Sequence, residues 1–300
     1  MPVLAPLRLL YYFEPWRMLP HALDKPAWDV LIWDGVAQFY VWREVVRHLW
    51  LSGELPLWNP YALCGTPLLA NSQSAPFYPP HLVVWILPTW LAVSVLAAFH
   101  LFWGALGLGL WLRQRGLNHI AIAVGVALWV FSLFWAAWLP LSSVPATLSW
   151  YGWLLLGIEA VRARGMRSAW AFAMPLGMML LAGHLQFAFY GVLLSILYAV
   201  FWGFETRAQG KLGHYGLALG TAYLLGGMLA AVQLLPVLEL ASYSHRQAPP
   251  TEAGYQAYVR NALPLFHLIT LWFPNAYGNP RDGSYWGAVH YAELALSVGA

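Results

Sequence analysis

Few side chains in this 300-residue sequence can do chemistry, because only 9% of them are charged. Asp34 heads that small set. It precedes Gly35 and a helix-like run, so its carboxylate reads either as a helix cap accepting backbone N–H bonds or as a catalytic group. Asn59, Asn71 and Gln73 stand in the Pro-rich stretch Gly53–Pro80, where their amides could hold a ligand. Asn in such a loop more often bonds its own backbone. His184 and Gln186 follow Gly183 between two apolar runs, facing a cavity or simply solvating a turn. Glu239 reads as a solvated loop carboxylate. Trp58, Tyr61, Phe77 and Tyr78 could stack on a ligand, although a belt of interfacial aromatics explains most of them. Metal chemistry finds little support. Among ten His residues no pair shows ligand spacing with a carboxylate on one helix face, and the single cysteine, Cys64, cannot build a cluster. Gly104, Gly107 and Gly109 lie in an apolar run with no strand before them and read as helix-packing positions. Gly216 and Gly220 form a GxxxG, whose default meaning is close helix contact.

The elements that must position these groups belong to a membrane. Hydrophobic residues make up 60% of the chain and charged ones 9%, against a usual charged fraction of about 25% in soluble proteins, which leaves water unable to be the only solvent. The 19 Trp residues suit anchoring at headgroup level. A net charge of +3 with scattered Arg offers no basic stripe for nucleic acid. Apolar runs able to cross about 30 Å of hydrocarbon are expected at Trp90–Leu112, Ile120–Leu139, Ala146–Val161, Ala169–Leu181, Phe187–Phe204 and Tyr215–Leu235. Leu82–Leu87, stopped by Pro88, reads as a short helix. The stretch Val3–Leu19 is broken by Pro6, Glu14 and Pro15 and lacks signal-peptide features.

The expected fold is all-α: a polytopic transmembrane helix bundle with an interfacial helix and an irregular external loop. The divisions are residues 1–23, a partial or interfacial first helix; 24–88, the external loop; 89–235, the bundle; 236–290, an external segment; and 291–300, the start of a further span. The chain stops inside that last apolar run, so it reads as a fragment of a longer protein.

Orientation follows from Lys and Arg, which stay cytoplasmic in short connections. Arg113 and Arg115, then Arg162, Arg164 and Arg167, then Arg207 and Lys211 mark alternate connections. The connections between them, 140–145 and 183–186, carry none. Loop 24–88 and segment 236–290 therefore lie outside, with most of the acidic residues. Between Val36 and Ser52, Phe39, Val46, Leu49 and Trp50 share one helical side and Arg43 and Arg47 another, which fits a helix in the interface plane.

One resemblance is specific. Asp34-x-x-x-Gln38, then PLWNPY, CGTP, LLANSQSAPFYPP, AGHLQ (Ala182–Gln186) and AAVQLLPVLE (Ala230–Glu239) followed by Ser244 and Arg246 resemble the YfhO family of bacterial membrane proteins. The similarity runs from about Asp34 to the end of the chain, and family members are usually longer at both ends.

That resemblance implies a GT-C-type membrane glycosyltransferase, with the GT-C-like fold that goes with it. Such an enzyme takes a sugar from a polyprenyl-phosphate donor and transfers it to a cell-surface glycan, glycolipid or protein outside the cytoplasmic membrane. By position, Asp34 matches the base, and Gln38, Asn59, Asn71, Gln73, His184 and Gln186 are the substrate-binding candidates, the amides meeting sugar hydroxyls. The departing phosphate needs positive charge. Arg43, Arg47, Arg246 and Arg260 are the external candidates, with Arg246 best placed after Pro236. No cofactor is implied, and a divalent cation bridging Asp34 and the lipid phosphate stays open. Two other classes stay open too: a transporter or flippase of lipid-linked sugars, and a non-catalytic assembly subunit. The absence of a visible internal repeat and the near-absence of acidic residues within the spans weigh against transit.

Overall fold

A computed structural model describes residues 7–20, 30–244, 251–259, 262–280, 282–288, 291, 294, 296 and 297. Arg246, Arg260, Asp24 and Asp29 lie outside the described residues. Helix accounts for 71% of the structure and strand for 2%, so the fold is all-α. Residues 7–20 form short 3-10 turns, Leu7–Tyr12 and Trp16–Met18, rather than a helix able to span or lie along a bilayer.

The first long element is helical from Val30 to Leu51. It comprises α1 (Val30–Asp34), a π-helical segment Gly35–Tyr40 and α2 (Val41–Leu51). The expected division into an apolar side and an arginine side needs correcting. Phe39, Val45 and Val46 are buried, but so is Arg43, which is 1% exposed. The exposed side carries Glu44, His48 and Leu51 instead. An irregular loop follows, pinned by a two-residue antiparallel ribbon of β1 (Trp58–Asn59) and β2 (Thr66–Pro67), with Asn59 opposite Thr66. A 3-10 helix, Pro79–Trp85, ends it.

The bundle then runs α3 (Thr89–Gln114), α4 (His119–Val130), α5 (Leu133–Trp138), α6 (Ser143–Leu148), α7 (Tyr151–Arg164), α8 (Ala169–Leu181), α9 (Leu185–Ala208), α10 (Leu212–Leu229) and α11 (Ala231–Ser242), with α12 (Glu252–Val259) beyond. Stretches Thr89–Gln114, His119–Trp138 and Leu185–Ala208 are long and apolar enough to cross a membrane. α10 and α11 together make a further candidate, bent by 74°. These helices mark the chain as a membrane protein.

Two expected spans are too short to cross a bilayer alone, although α8 keeps its expected bounds, Ala169–Leu181, and α7 is shifted to Tyr151–Arg164. α8 has 13 residues and α7 has 14, against the roughly 20 that a bilayer requires. Hydroxyls explain the break before α7: Thr147 Oγ1 donates to the Ser143 carbonyl and Ser149 Oγ to that of Ala146, so side chains compete for helix acceptors. α7 and α8 instead form the middle of the bundle, between α3, α9 and α10. Their contacts are close because glycines face backbone: a Cβ on Gly152 would lie 2.4 Å from the Leu108 nitrogen, and one on Gly157 2.6 Å from the Ala171 oxygen. Gly104 and Gly107 do serve helix packing, under Trp129 and Trp153. Gly216 and Gly220 do not, since a Cβ there would meet nothing within 4 Å among the described residues. Pro236, expected where the chain leaves the bundle, lies inside α11.

Candidate functional site

Asp34 does not begin a helix. Its backbone is already helical (φ −59°, ψ −33°) and its side chain makes no cap bond, because the apolar residues before it extend the helix backward. The capping alternative therefore falls. Its Oδ1 accepts a hydrogen bond from Gln38 Nε2 at 2.8 Å, one turn on, across the π segment. That segment matters, since π turns inside α-helices recur at functional sites and re-aim the side chains around them. Asp34 is half-buried and Gln38 exposed. Among the described residues, no Lys, Arg or His forms an ion pair with this carboxylate.

The helix carrying Asp34 rests on the α5–α6 connection. A Cβ on Gly35 would lie 3.2 Å from the Pro140 carbonyl oxygen, and Phe39 packs with Trp138, Leu141 and Val144. His184 reaches the same segment from the other side. Its ring lies edge-on to Trp138 at 6.4 Å, and its backbone N–H donates to Thr147 Oγ1 at 3.4 Å. Burial holds the His184 imidazole down at about 4, and its Nδ1 has no partner among the described residues.

The Asn71–Ser74 segment sits at the centre of this arrangement. Arg43 from α2 donates to the Ser74 carbonyl and, at 3.3 Å, to Ser142 Oγ. Ser143 Oγ donates to Gln73 Oε1 at 3.2 Å. Gly183 backs directly onto Ser72 and Gln73. Gln233 of α11, fully buried by the bend after α10, donates to the carbonyls of Ser72 (3.3 Å) and Leu180 (3.4 Å). Motifs scattered over 160 residues thus converge on one four-residue stretch. Downstream, Tyr78 is buried with its hydroxyl accepting from Trp150 Nε1 (2.9 Å) and paired with His100 Nε2 (3.1 Å). His81 Nδ1 meets the Ala75 carbonyl at 3.0 Å. Burial pushes the Tyr78 hydroxyl up, and burial together with Arg43 pushes His81 well down. Burial also lowers Arg43 to about 9, partly offset by Tyr78.

The individual candidates fare unevenly. Asn59 is 1% exposed and its Oδ1 accepts from the Tyr61 N–H at 3.0 Å, the backbone-bonding alternative. Gln73 and His184 belong to the convergence just described. Asn71 supplies its carbonyl to Ser74, and its amide has no hydrogen bond among the described residues. Gln186 is exposed and bonds Tyr190 at 3.0 Å. Arg47 donates to the Val84 carbonyl at 2.9 Å and faces Glu44 at 3.7 Å, so neither it nor Arg43 is free to meet a phosphate. Among the described residues, no three His, Cys, Asp or Glu side chains gather as metal ligands.

The opposite end of the bundle is charged. Buried Glu159, on α7, meets Arg115 and Arg162 at 3.2 Å each and also the Tyr198 hydroxyl. Sequence reading missed it, although one acid in an apolar run beside Arg162 was the available signal. His184 and Arg207 mark the two ends of α9, about 35 Å apart at 1.5 Å per residue.

No family model, curated protein or solved structure matches this chain. What the site can do rests on its own arrangement: one half-exposed carboxylate, held by an amide, on a helix whose Arg43 braces a polar loop.

Proposed function

We propose that the protein is a membrane glycosyltransferase that moves a sugar from a polyprenyl-phosphate donor to an extracytoplasmic cell-surface acceptor, with Asp34 as the general base. The observation that carries this reading is the Asp34–Gln38 pair on a π turn, packed against the connection that His184 also touches. A carboxylate so held can take the proton of an acceptor hydroxyl. The hydroxyl oxygen bonds to the anomeric carbon while the bond from that carbon to the phosphate oxygen breaks. The electron pair leaves on the phosphate, and inversion needs only one base. Gln38 orients Asp34, while His184 packs on the same α5–α6 connection and Gln73 is tied to it through Ser143. Positive charge for the phosphate is assigned to Arg246, with Arg260 the other external candidate, both outside the described residues. Asn59 serves the loop's own fold rather than sugar.

The distribution of charge supports an external site in the cytoplasmic membrane. Arg115, Arg162 and Glu205 meet at the end of the bundle away from the loop, where Arg207 also lies, and basic ends stay cytoplasmic. A second reading, a non-catalytic assembly subunit, draws on the internal satisfaction of Gln73 and Ser74, which leaves these groups braced rather than offered.

The deciding experiment incubates the detergent-purified protein with polyprenyl-phosphate-linked sugars, comparing it with Asp34→Asn. Transfer or sugar release is expected to vanish in the variant with melting unchanged. Full activity in Asp34→Asn removes Asp34 as base, and no activity with any donor favours the assembly subunit.

A further inference from the structure

α9 and α10 form a hairpin with a groove of about 350 Å³ along its outer side. On α9 the groove runs from Ile196 to Arg207, about 16 Å of helix. Its floor is closed, because the Tyr215 hydroxyl donates to the Ala199 carbonyl at 3.2 Å and Tyr223 pairs with Ser195 at 2.8 Å. Its walls are apolar, with Val200, Phe204 and Leu219 among them. Gly216 keeps it open, since a Cβ there meets nothing within 4 Å. Among the described residues Arg207 is the one charged side chain that lines the groove, and it sits at the end nearest the α9–α10 turn. It is exposed and makes no ion pair among the described residues, for its neighbour Glu205 is taken by Arg162 at 3.4 Å.

The shape and charge select among occupants. A helix about 10 Å across cannot enter a groove between two helices already bridged by hydrogen bonds, and could only lie across its top. A single hydrocarbon chain can enter. The volume falls within the range of small-ligand sites. A cation at one end of an apolar trough complements an anionic headgroup, and basic sites between spanning helices favour such lipids. We propose that this groove binds an anionic glycerophospholipid of the surrounding bilayer, one acyl chain along Val200 and Phe204 and its phosphate on Arg207. The site lies at the end of α9 opposite His184 and is independent of the glycosyl-transfer reading.

The test is thermal melting of the full chain in neutral detergent with added dioleoylphosphatidylglycerol or dioleoylphosphatidylcholine. The anionic lipid is expected to raise the melting temperature saturably and the zwitterionic one to leave it unchanged. Arg207→Gln weakens the apparent affinity about fivefold. Gly216→Leu puts a side chain into the groove from a position whose Cβ meets nothing within 4 Å, so it is expected to abolish the stabilisation and to keep the lipid-free melting temperature. Equal stabilisation by both lipids, or an unaltered response in both variants, overturns the proposal. So does a dimer in light scattering that Gly216→Leu disrupts, which would give the face to a second copy.

Discussion

Gly183 stands against Ser72 so closely that a Cβ would lie 2.2 Å from the Ser72 carbonyl oxygen. The same glycine holds φ at +97°, where other L-residues are strained. The turn between α8 and α9 is thus keyed to the Asn71–Ser74 segment by the lack of a side chain.

Gly183→Ala should therefore destabilise the protein by on the order of 3 kcal/mol, combining backbone strain with overpacking. Thermal melting in detergent reads the loss. A substitution at Gly210, which also has positive φ (+68°) but has nothing within 4 Å, should cost less. Equal costs would mean that Ser72 yields and that the contact is unimportant.

Arg43 ties the helix carrying Asp34 to both the loop and α6. Arg43→Met should free the Ser74 carbonyl and Ser142 hydroxyl without partners, at about 1–3 kcal/mol each. Arg43→Lys should recover only part of the loss, because one ammonium cannot reproduce the planar fork that reaches both acceptors. Limited proteolysis within 53–80, together with melting, separates the outcomes. Protection equal to wild type in Arg43→Met would remove Arg43 as the brace.

These braces show where the sequence could and could not be read. The long spans were legible because continuous apolar runs leave lipid as the only solvent, as in Thr89–Gln114 and Leu185–Ala208. α7 was not legible as a short buried helix, because its truncation depends on where two hydroxyls bond. Asp34 was misread as a possible cap because Gly35 suggested a boundary, and the structure carries the helix through it. The residues of the loop site could be nominated, since polar groups in apolar surroundings stand out. Their partners could not, because Arg43–Ser74 and Gln233–Ser72 are separated by 31 and 161 positions and leave no periodic trace.

Acid should loosen the loop region. Burial keeps His184 neutral down to about 4 and His81 neutral to well below its usual range, whereas both titrate near 6.5 when unfolded. Below about pH 6.5 the unfolded chain binds the extra protons, so stability falls as pH drops toward 4 and is unaffected by these groups above 6.5. Melting temperature measured from pH 7.5 to 4.5 should decline, and His184→Gln should flatten part of that decline. An identical pH profile in the variant would show that the His184 turn opens to water before it titrates.

At the other end, Glu159 is the buried anion around which the basic residues organise. It is 1% exposed, while Arg115 and Arg162 remain 35% and 27% exposed at their side chains. Both guanidinium groups lie over Trp202, at 4.7 and 4.0 Å from its ring centre, so each has a second interaction to fall back on. The carboxylate, among the described residues, has these two arginines and the Tyr198 hydroxyl as its partners. Replacing it leaves two cations and the Tyr198 hydroxyl without their shared acceptor, whereas removing one arginine leaves Glu159 with the other. Glu159→Leu should therefore cost roughly 3 kcal/mol, as when one partner of a buried ion pair is lost. Arg115→Ala alone should cost less, because its exposed head is already screened by solvent. Combining the two substitutions should cost less than their sum, since the second removes a charge that the first stranded. Strict additivity in the melting of the double variant would mean that Arg115 and Glu159 act separately, leaving Arg162 and Tyr198 as the partners that keep the acid buried.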